Sequence, residues 1–108
     1  MIVEYIRYEI HDSARRVTFE GAYREAAAAL EASPHCLAYE LARCAEDARR
    51  YVLRIEWDSA EGHLQGFRRS EQFRRFFACV RAFVGDVTEM RHHEVVRSIA
   101  WRREETAV

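Results

Sequence analysis

Residues 51–73, YVLRIEWDSAEGHLQGFRRSEQF, combine a strand pattern with the helix pattern that follows it. The first part alternates, and its apolar side consists of Tyr51, Leu53, Ile55 and Trp57. The other side is charged and carries Arg54, Glu56 and Asp58. Alternation of this kind predicts a β-strand over residues 50–57 with one buried face. The charged face is either solvated or lines a chamber closed by another subunit.

The second part of this stretch predicts two helices. Asp58 followed by Glu61 has the spacing of a reciprocal helix cap, which predicts a short helix from Ser59. Ser70 is a predicted cap for the next helix. That helix carries an aromatic stripe at i, i+3, i+4, i+7 and i+10, formed by Phe73, Phe76, Phe77, Val80 and Phe83. We expect the stripe to pack against the apolar face of the strand.

The flanking segments predict three further strands and one more helix. Residues 2–10 alternate and predict the first strand. Residues 17–32 carry one apolar stripe in an alanine-rich run, which predicts a helix that Ser33-Pro34 ends. CLAYELARC, residues 36–44, predicts the second strand, and the charged bend AEDARR joins it to the third. DVTEMRHHEVV, residues 86–96, predicts the fourth.

This order of elements predicts an α+β fold of the ferredoxin-like βαββαβ type, with a four-stranded antiparallel sheet and helices on one face. The predicted domain covers residues 1–97, followed by a tail over residues 98–108. The face away from the helices, here called the open face, carries Val3, Tyr5, Arg7, Glu9, Ala38, Glu40, Val52, Arg54 and Glu56. Either set of alternate residues of the fourth strand could face the helices. The favoured phase is the one in which Met90 faces them. The same phase adds Glu89, Arg91 and His93 to the open face.

Composition excludes several classes of function. A net charge of -1 provides no overall field for nucleic acid or an acidic membrane. The chain has no lysine, so a Schiff base on a side-chain amine is excluded.

No apolar run approaches the roughly 18 residues of a membrane span, and charged residues interrupt the amino terminus where a signal peptide would be apolar. With three cysteines and no CxxC pair, we expect a cytoplasmic protein.

Histidine spacing predicts no metal site. His92 and His93 are adjacent on a predicted strand, so their side chains point to opposite faces and do not converge on one ion. His11 and His35 fall in predicted turns without spaced carboxylate partners.

The element order, residues 51–73 and the closing VTEMRHHEVV together resemble the antibiotic biosynthesis monooxygenase family of small dimeric α/β barrels. The resemblance extends from Ile2 to about Val96, and its most specific residues are Trp57, Asp58, Ser59, Glu61, His63, Phe67, Ser70 and Phe73. It implies a homodimer whose open faces cover one another. For many members it also implies cofactor-free oxidation of a quinol or anthrone by dioxygen. The haem-degrading branch is less similar, because its asparagine, tryptophan and histidine are replaced here by Arg7, Gly66 or Phe67, and Phe77.

Cofactor-free oxygenation requires a base, a cation that holds the substrate anion, and an apolar pocket. On the open face, Arg54 and Arg7 are candidates for the cation. The candidate bases there are Glu56, Glu40 and His93. His63, predicted to face inward near Trp57, is a further candidate base, or else a core histidine hydrogen-bonded to backbone. The residues expected to contact substrate are Tyr5, Arg7, Glu40, Trp57 and Phe67.

The predicted function is therefore oxidation of a small aromatic or quinol-type substrate by dioxygen, as in a monooxygenase, with no bound cofactor. The alternative is a binding or accessory module of the same fold that holds a hydrophobic ligand or a partner. Pairing among Arg7, Arg54 and Glu56 would favour a structural chamber. A carboxylate or histidine left unpaired beside an apolar void would favour chemistry.

Overall fold

An antiparallel sheet of four strands forms one layer of the protein, for which a computed structural model describes residues 1–103. The strands are β1 (Ile2–Glu9), β2 (Cys36–Arg43), β3 (Arg50–Trp57) and β4 (Val87–Glu94), in the spatial order β2-β3-β1-β4. Every neighbouring pair is antiparallel. The predicted ferredoxin-like fold is confirmed. Of the predicted tail, residues 104–108 lie outside the described part of the chain.

Helices cover one face of this sheet. They are α1 (Ser13–Glu31), a π-helix (Gly62–Phe67) and α2 (Glu71–Val80), and short 3₁₀ turns follow at Arg81–Asp86 and Arg97–Ile99. None of the described helices is long and apolar enough to span a membrane. The core between the two layers includes Phe19, Leu30, Leu53, Ile55 and Trp57, all fully buried. β2 is an edge strand, so the apolar side predicted for it is only partly covered, and Leu37 is exposed.

Polar side chains set the starts of the helices. The Asp12 carboxylate accepts from the Ala14 N–H at 2.8 Å, so α1 begins four residues earlier than the apolar stripe alone predicts. The Ser70 hydroxyl accepts from the Phe73 N–H at 3.2 Å, which confirms the predicted cap of α2. The cap predicted from Asp58 and Glu61 is wrong. Ser59 takes that place, since its hydroxyl accepts from the Gly62 N–H at 2.8 Å.

The register of the sheet fixes which face each histidine of β4 occupies. Glu4 pairs with His92 and Val3 pairs with His93 across β1 and β4. Because side chains alternate along a strand, His92 lies on the helix side and His93 on the open face. The favoured phase of β4 is confirmed, and a slip of one residue would exchange the two histidines.

Two glycines allow the π-helix to pack closely against a polar pair. His35 Nδ1 lies 3.0 Å from Asp58 Oδ2, and this contact lowers the pKa of Asp58. A Cβ atom on Gly62 would lie 2.0 Å from Asp58 Oδ1, and one on Gly66 would lie 2.3 Å from the His35 ring. The absence of side chains at these positions therefore lets the His35–Asp58 pair hold the π-helix against the end of β3.

We expect Gly66→Ala to lower the free energy of unfolding by about 1–3 kcal/mol, because the new methyl group must displace the His35 ring from its partner. Gly21→Ala is the matched control. Nothing lies within 4 Å of a Cβ atom at Gly21, which is inside α1, so that change should stabilise by about 0.5–1 kcal/mol. Urea denaturation of both variants measures the difference. An unchanged or increased free energy of unfolding in Gly66→Ala would contradict the packing role of Gly66.

Candidate active site

The sheet separates the predicted site residues into two groups. Six of them lie on the open face: Tyr5, Arg7, Glu40, Arg54, Glu56 and His93. The other three lie on the helix side: Trp57, His63 and Phe67. The two groups are on opposite faces of one sheet layer and therefore do not form a single site within one chain.

Charged groups on the open face are paired with one another. Arg54 Nη1 lies 2.6 Å from Glu56 Oε2 and 3.7 Å from Glu40 Oε1. Arg102, from the segment after β4, places Nη2 at 3.6 Å from the same Glu56 oxygen. His93 packs edge-on against Tyr5, with ring centroids 5.3 Å apart. The pairing is only partial, because Arg7 makes no ion pair among residues 1–103, and the catalytic roles predicted for these residues stay predictions.

A cavity of about 410 Å³ lies on the other side of the sheet, between the strands and α2. Its walls are mainly apolar and include Ile6, Ile55, Phe73, Phe76, Val80 and Met90. Pockets for small organic ligands are typically about 300–1,000 Å³ and apolar, with a few polar groups that fix orientation. Here Glu4, His63 and Arg68 supply those polar groups.

Glu4 is the centre of a buried polar cluster at one end of the cavity. The Trp57 indole N–H donates to Glu4 Oε1 at 3.0 Å. His92 Nε2 lies 3.3 Å from Glu4 Oε2, and His63 Nε2 lies 3.7 Å from Glu4 Oε1. Glu4 is 3% exposed, and this burial raises the pKa of its carboxyl, while the bond from Trp57 opposes the rise.

His63 is buried without a hydrogen-bond partner. Its predicted core position is confirmed, but neither ring nitrogen has a hydrogen-bond partner among residues 1–103, so the backbone hydrogen bond predicted with it is wrong. Burial, with smaller contributions from the nearby His92 and Arg68, lowers the pKa of His63 to about 4. The imidazole is therefore neutral near pH 7, with a nitrogen lone pair available at the cavity wall.

The π-helix gives His63 and Phe67 their common direction. Its wider turn is closed by the Arg68 N–H, which donates to the His63 carbonyl at 3.0 Å, five residues back. Both rings pack on Trp57, with centroid distances of 4.5 Å for His63 and 4.8 Å for Phe67. Trp57 is thus both a core residue and part of the cavity wall. π-helical turns of this kind often occur at functional sites.

Arg68 provides a cation on the cavity side of the sheet. Its guanidinium lies over the Phe73 ring, 5.0 Å from the centroid, and it contributes to the potential felt by Glu4 and His63. A neutral imidazole, a guanidinium and apolar walls therefore lie together on this side of the sheet.

Sequence reasoning missed Glu4, His92 and Arg68 as site residues. Glu4 could have been identified from the sequence. It is an even-numbered residue of β1, like Ile2, Ile6 and Tyr8, so its carboxylate lies on the apolar side of that strand. His92 was predictable from the favoured phase of β4, but only together with Glu4. Arg68 gave no such signal.

The family model for antibiotic biosynthesis monooxygenase matches residues 1–78. The chain belongs to this family. The matched residues of the antibiotic biosynthesis monooxygenase domain include Glu4, Trp57, His63, Phe67 and Arg68, whereas His92 lies beyond them.

One relative and two solved structures are similar to this chain. The uncharacterized protein YczJ of Bacillus subtilis (strain 168) is 30% identical over 78 residues, which are 72% of this chain and 82% of YczJ. The structure of SnoaB, a cofactor-independent oxygenase from Streptomyces nogalater, matches with a TM-score of 0.71 at 16% identity, covering 91% of this chain and 95% of SnoaB. A candidate antibiotic biosynthesis monooxygenase from Bordetella bronchiseptica matches with a TM-score of 0.69 at 22% identity, covering 88% and 96%. At these identities the two structures support the fold alone.

Proposed function

We propose that this member of the antibiotic biosynthesis monooxygenase family oxidises a small aromatic or quinol-type substrate with dioxygen, without a bound cofactor, in the cavity between the sheet and α2. The observation that carries the proposal is His63, a buried neutral imidazole that has no hydrogen-bond partner among the described residues and faces an apolar cavity. Family membership supports it, as does the likeness in fold to SnoaB, which is named a cofactor-independent oxygenase.

Aromatic side chains line the cavity and suit it to a flat, electron-rich ligand. Trp57, Phe67 and Phe73 offer ring faces and edges, and Phe76 and Phe77 continue the wall. The volume suits a molecule of two or three fused rings. The cavity is open on one side, where Phe77, Val84 and Met90 are about half exposed, so a bound ring system would itself displace water from the polar groups at the inner end and strengthen the electrostatic contacts there.

Proton removal is the first step of the proposed reaction. A His63 nitrogen takes a proton from a phenolic hydroxyl, or from the acidic methylene group of an anthrone. The imidazolium so formed lies 3.7 Å from Glu4, whose carboxylate stabilises it. Arg68 stabilises the substrate anion.

Dioxygen then reacts with the anion. One electron passes from the anion to dioxygen, and the resulting radical and superoxide combine to form a carbon–oxygen bond. The peroxide takes the proton back from His63 to give a hydroperoxide. The hydrogen on the oxygenated carbon and the terminal OH group of the hydroperoxide then leave together as water, and a carbonyl group remains. In total the CH₂ group of an anthrone becomes C=O, or the ring CH and OH groups of a phenol become the two carbonyl groups of a quinone; in both cases one oxygen atom enters the product and the other leaves as water. The substrate loses four electrons and dioxygen gains four.

The homodimer remains a proposal, supported by the open face. Tyr5 and Val52 are only half-buried there, and a second copy placed face to face would cover them and the paired charges. We expect a dimer mass by light scattering at micromolar concentrations. A monomer mass throughout that range would contradict stacking of the open faces.

Dioxygen uptake tests the proposed function. The purified, metal-chelated protein is assayed with a panel of anthrones, naphthohydroquinones and catechols, and boiled protein measures autoxidation. We expect protein-dependent uptake of one dioxygen per substrate with no hydrogen peroxide released. Absence of uptake across the panel, together with a ligand-induced rise in melting temperature, would instead favour a binding module that holds a hydrophobic ligand in the same cavity.

A further inference from the structure

We propose that Glu4, His63 and His92 form a binding site for one divalent transition-metal ion of the Zn²⁺ class at the end of the cavity. The three residues come from β1, the π-helix and β4, and the sheet register places Glu4 directly beside His92. One ligand atom from each residue lies within 4.8 Å of the others. Because each residue belongs to a different element, the spacing of histidines along the chain does not reveal this cluster.

The distances fit a single ion. Ligand atoms bound at about 2.0–2.2 Å to a tetrahedral ion lie about 3.4 Å from one another. The separation between His92 Nε2 and Glu4 Oε2 is 3.3 Å, and that between His63 Nε2 and the other oxygen of the same carboxylate, Oε1, is 3.7 Å. A pair at the 4.8 Å limit would have to close by about 1.4 Å on binding. The His92 side chain is 37% exposed and has room to make this movement.

The chemistry of the ligands selects the class of ion. Two imidazoles with one carboxylate suit Zn²⁺ and similar transition-metal ions, whereas Ca²⁺ and Mg²⁺ prefer sites made of oxygen atoms. The Trp57 N–H bond to Glu4, at 3.0 Å, orients the carboxylate in the way that outer hydrogen bonds orient metal ligands.

The buried ring of His63 is the second, independent observation. Both of its nitrogens lack hydrogen-bond partners among the described residues, although the side chain is only 3% exposed. Buried polar groups are rarely left unpaired, and a bound ion would satisfy one of these nitrogens. Glu4 and His63 both line the cavity, so a fourth coordination position would face it.

Metal binding goes beyond the proposed oxidation and does not depend on it. An ion in this position would use the lone pair of His63 and the carboxylate of Glu4, which the cofactor-free reaction needs. The two uses exclude each other, and Zn²⁺ would therefore inhibit the oxidation.

Zinc titration of adjacent-histidine variants tests the site. The full chain is treated with chelator, dialysed and titrated with ZnCl₂ in a calorimeter, and Co²⁺ absorption reports the coordination geometry. We expect one Zn²⁺ per chain, a tetrahedral Co²⁺ spectrum, and at least about a 10-fold loss of affinity in His92→Ala. His93→Ala removes the neighbouring histidine on the opposite face, so we expect it to bind Zn²⁺ as the wild type does.

If His92→Ala binds Zn²⁺ as tightly as the wild type, or if His92→Ala and His93→Ala lose the same affinity, the proposed site is refuted and Zn²⁺ binds only at the surface. His92 is partly exposed on an edge strand, and circular dichroism of His92→Ala verifies that the variant folds. Because the readout is binding, the two proposals fail separately. Zinc binding without dioxygen uptake refutes only the oxidation, and dioxygen uptake without zinc binding refutes only the metal site.

Discussion

Replacement of His63 by glutamine is expected to lower kcat for substrate oxidation at least about 100-fold, because glutamine retains a polar group of similar size but cannot take up the substrate proton near pH 7. KM should change much less, since the aromatic walls that bind the ring system are intact. Initial rates of dioxygen uptake at several substrate concentrations separate the two effects.

His11→Gln is the matched control for this change. His11 lies outside the cavity in the exposed segment between β1 and α1, where its ring lies 3.5 Å from the Glu9 carboxylate, so the variant should oxidise substrate at the wild-type rate. Melting temperatures of both variants verify that each is folded. A His63→Gln enzyme within threefold of the wild-type kcat, roughly 0.7 kcal/mol in barrier height, would remove His63 from the role of base.

Replacement of Trp57 by alanine is expected to lower the free energy of unfolding by about 3–5 kcal/mol. Trp57 is fully buried, packs against both His63 and Phe67, and is the hydrogen-bond donor to Glu4. Alanine leaves a cavity and also leaves a buried carboxyl oxygen without its donor, and both effects destabilise the fold. Urea denaturation followed by circular dichroism measures the loss.

Trp101, the second of the two tryptophans, provides the comparison. Its side chain is largely exposed and contacts the Arg103 guanidinium, so Trp101→Ala should change stability by no more than about 0.5 kcal/mol. Equal effects of the two substitutions would show that Trp57 does not hold the sheet and the π-helix together.

Alternation and helical periodicity were sufficient to predict the fold. The bounds of β3 agree with the predicted residues 50–57. Phe76, Val80 and Phe83 of the predicted stripe are buried as expected, whereas Phe77 is 43% exposed and Phe83 lies in the 3₁₀ turn that follows α2. The start of α1 was predicted too late because Asp12, a cap outside the apolar stripe, determines it. The cap at Ser59 was misassigned because Asp58 has a stronger partner in His35, which is distant in sequence.

The candidate site was harder to predict because its location depends on pairing between distant strands. Arg54 and Glu56 stand out in the sequence as charges on a strand, yet their proximity makes them pair with each other. In the sequence, Glu4 is a single polar residue in an apolar pattern. Its place in a polar cluster becomes visible only in the fold, where it contacts Trp57, His63 and His92. Periodicity identifies the face of a residue, whereas only tertiary structure identifies its neighbours.

Histidine-selective ¹⁵N NMR distinguishes most directly between substrate binding in the cavity and substrate binding on the open face. The chain has five histidines, with His63 on the cavity side of the sheet and His93 on the open face. The metal-chelated protein is titrated with a naphthol that dioxygen does not oxidise under the conditions used. Binding in the cavity predicts a saturable shift of the His63 ring resonances and none of those of His93. A shift of His93 with His63 unchanged would contradict the account and place the substrate on the open face.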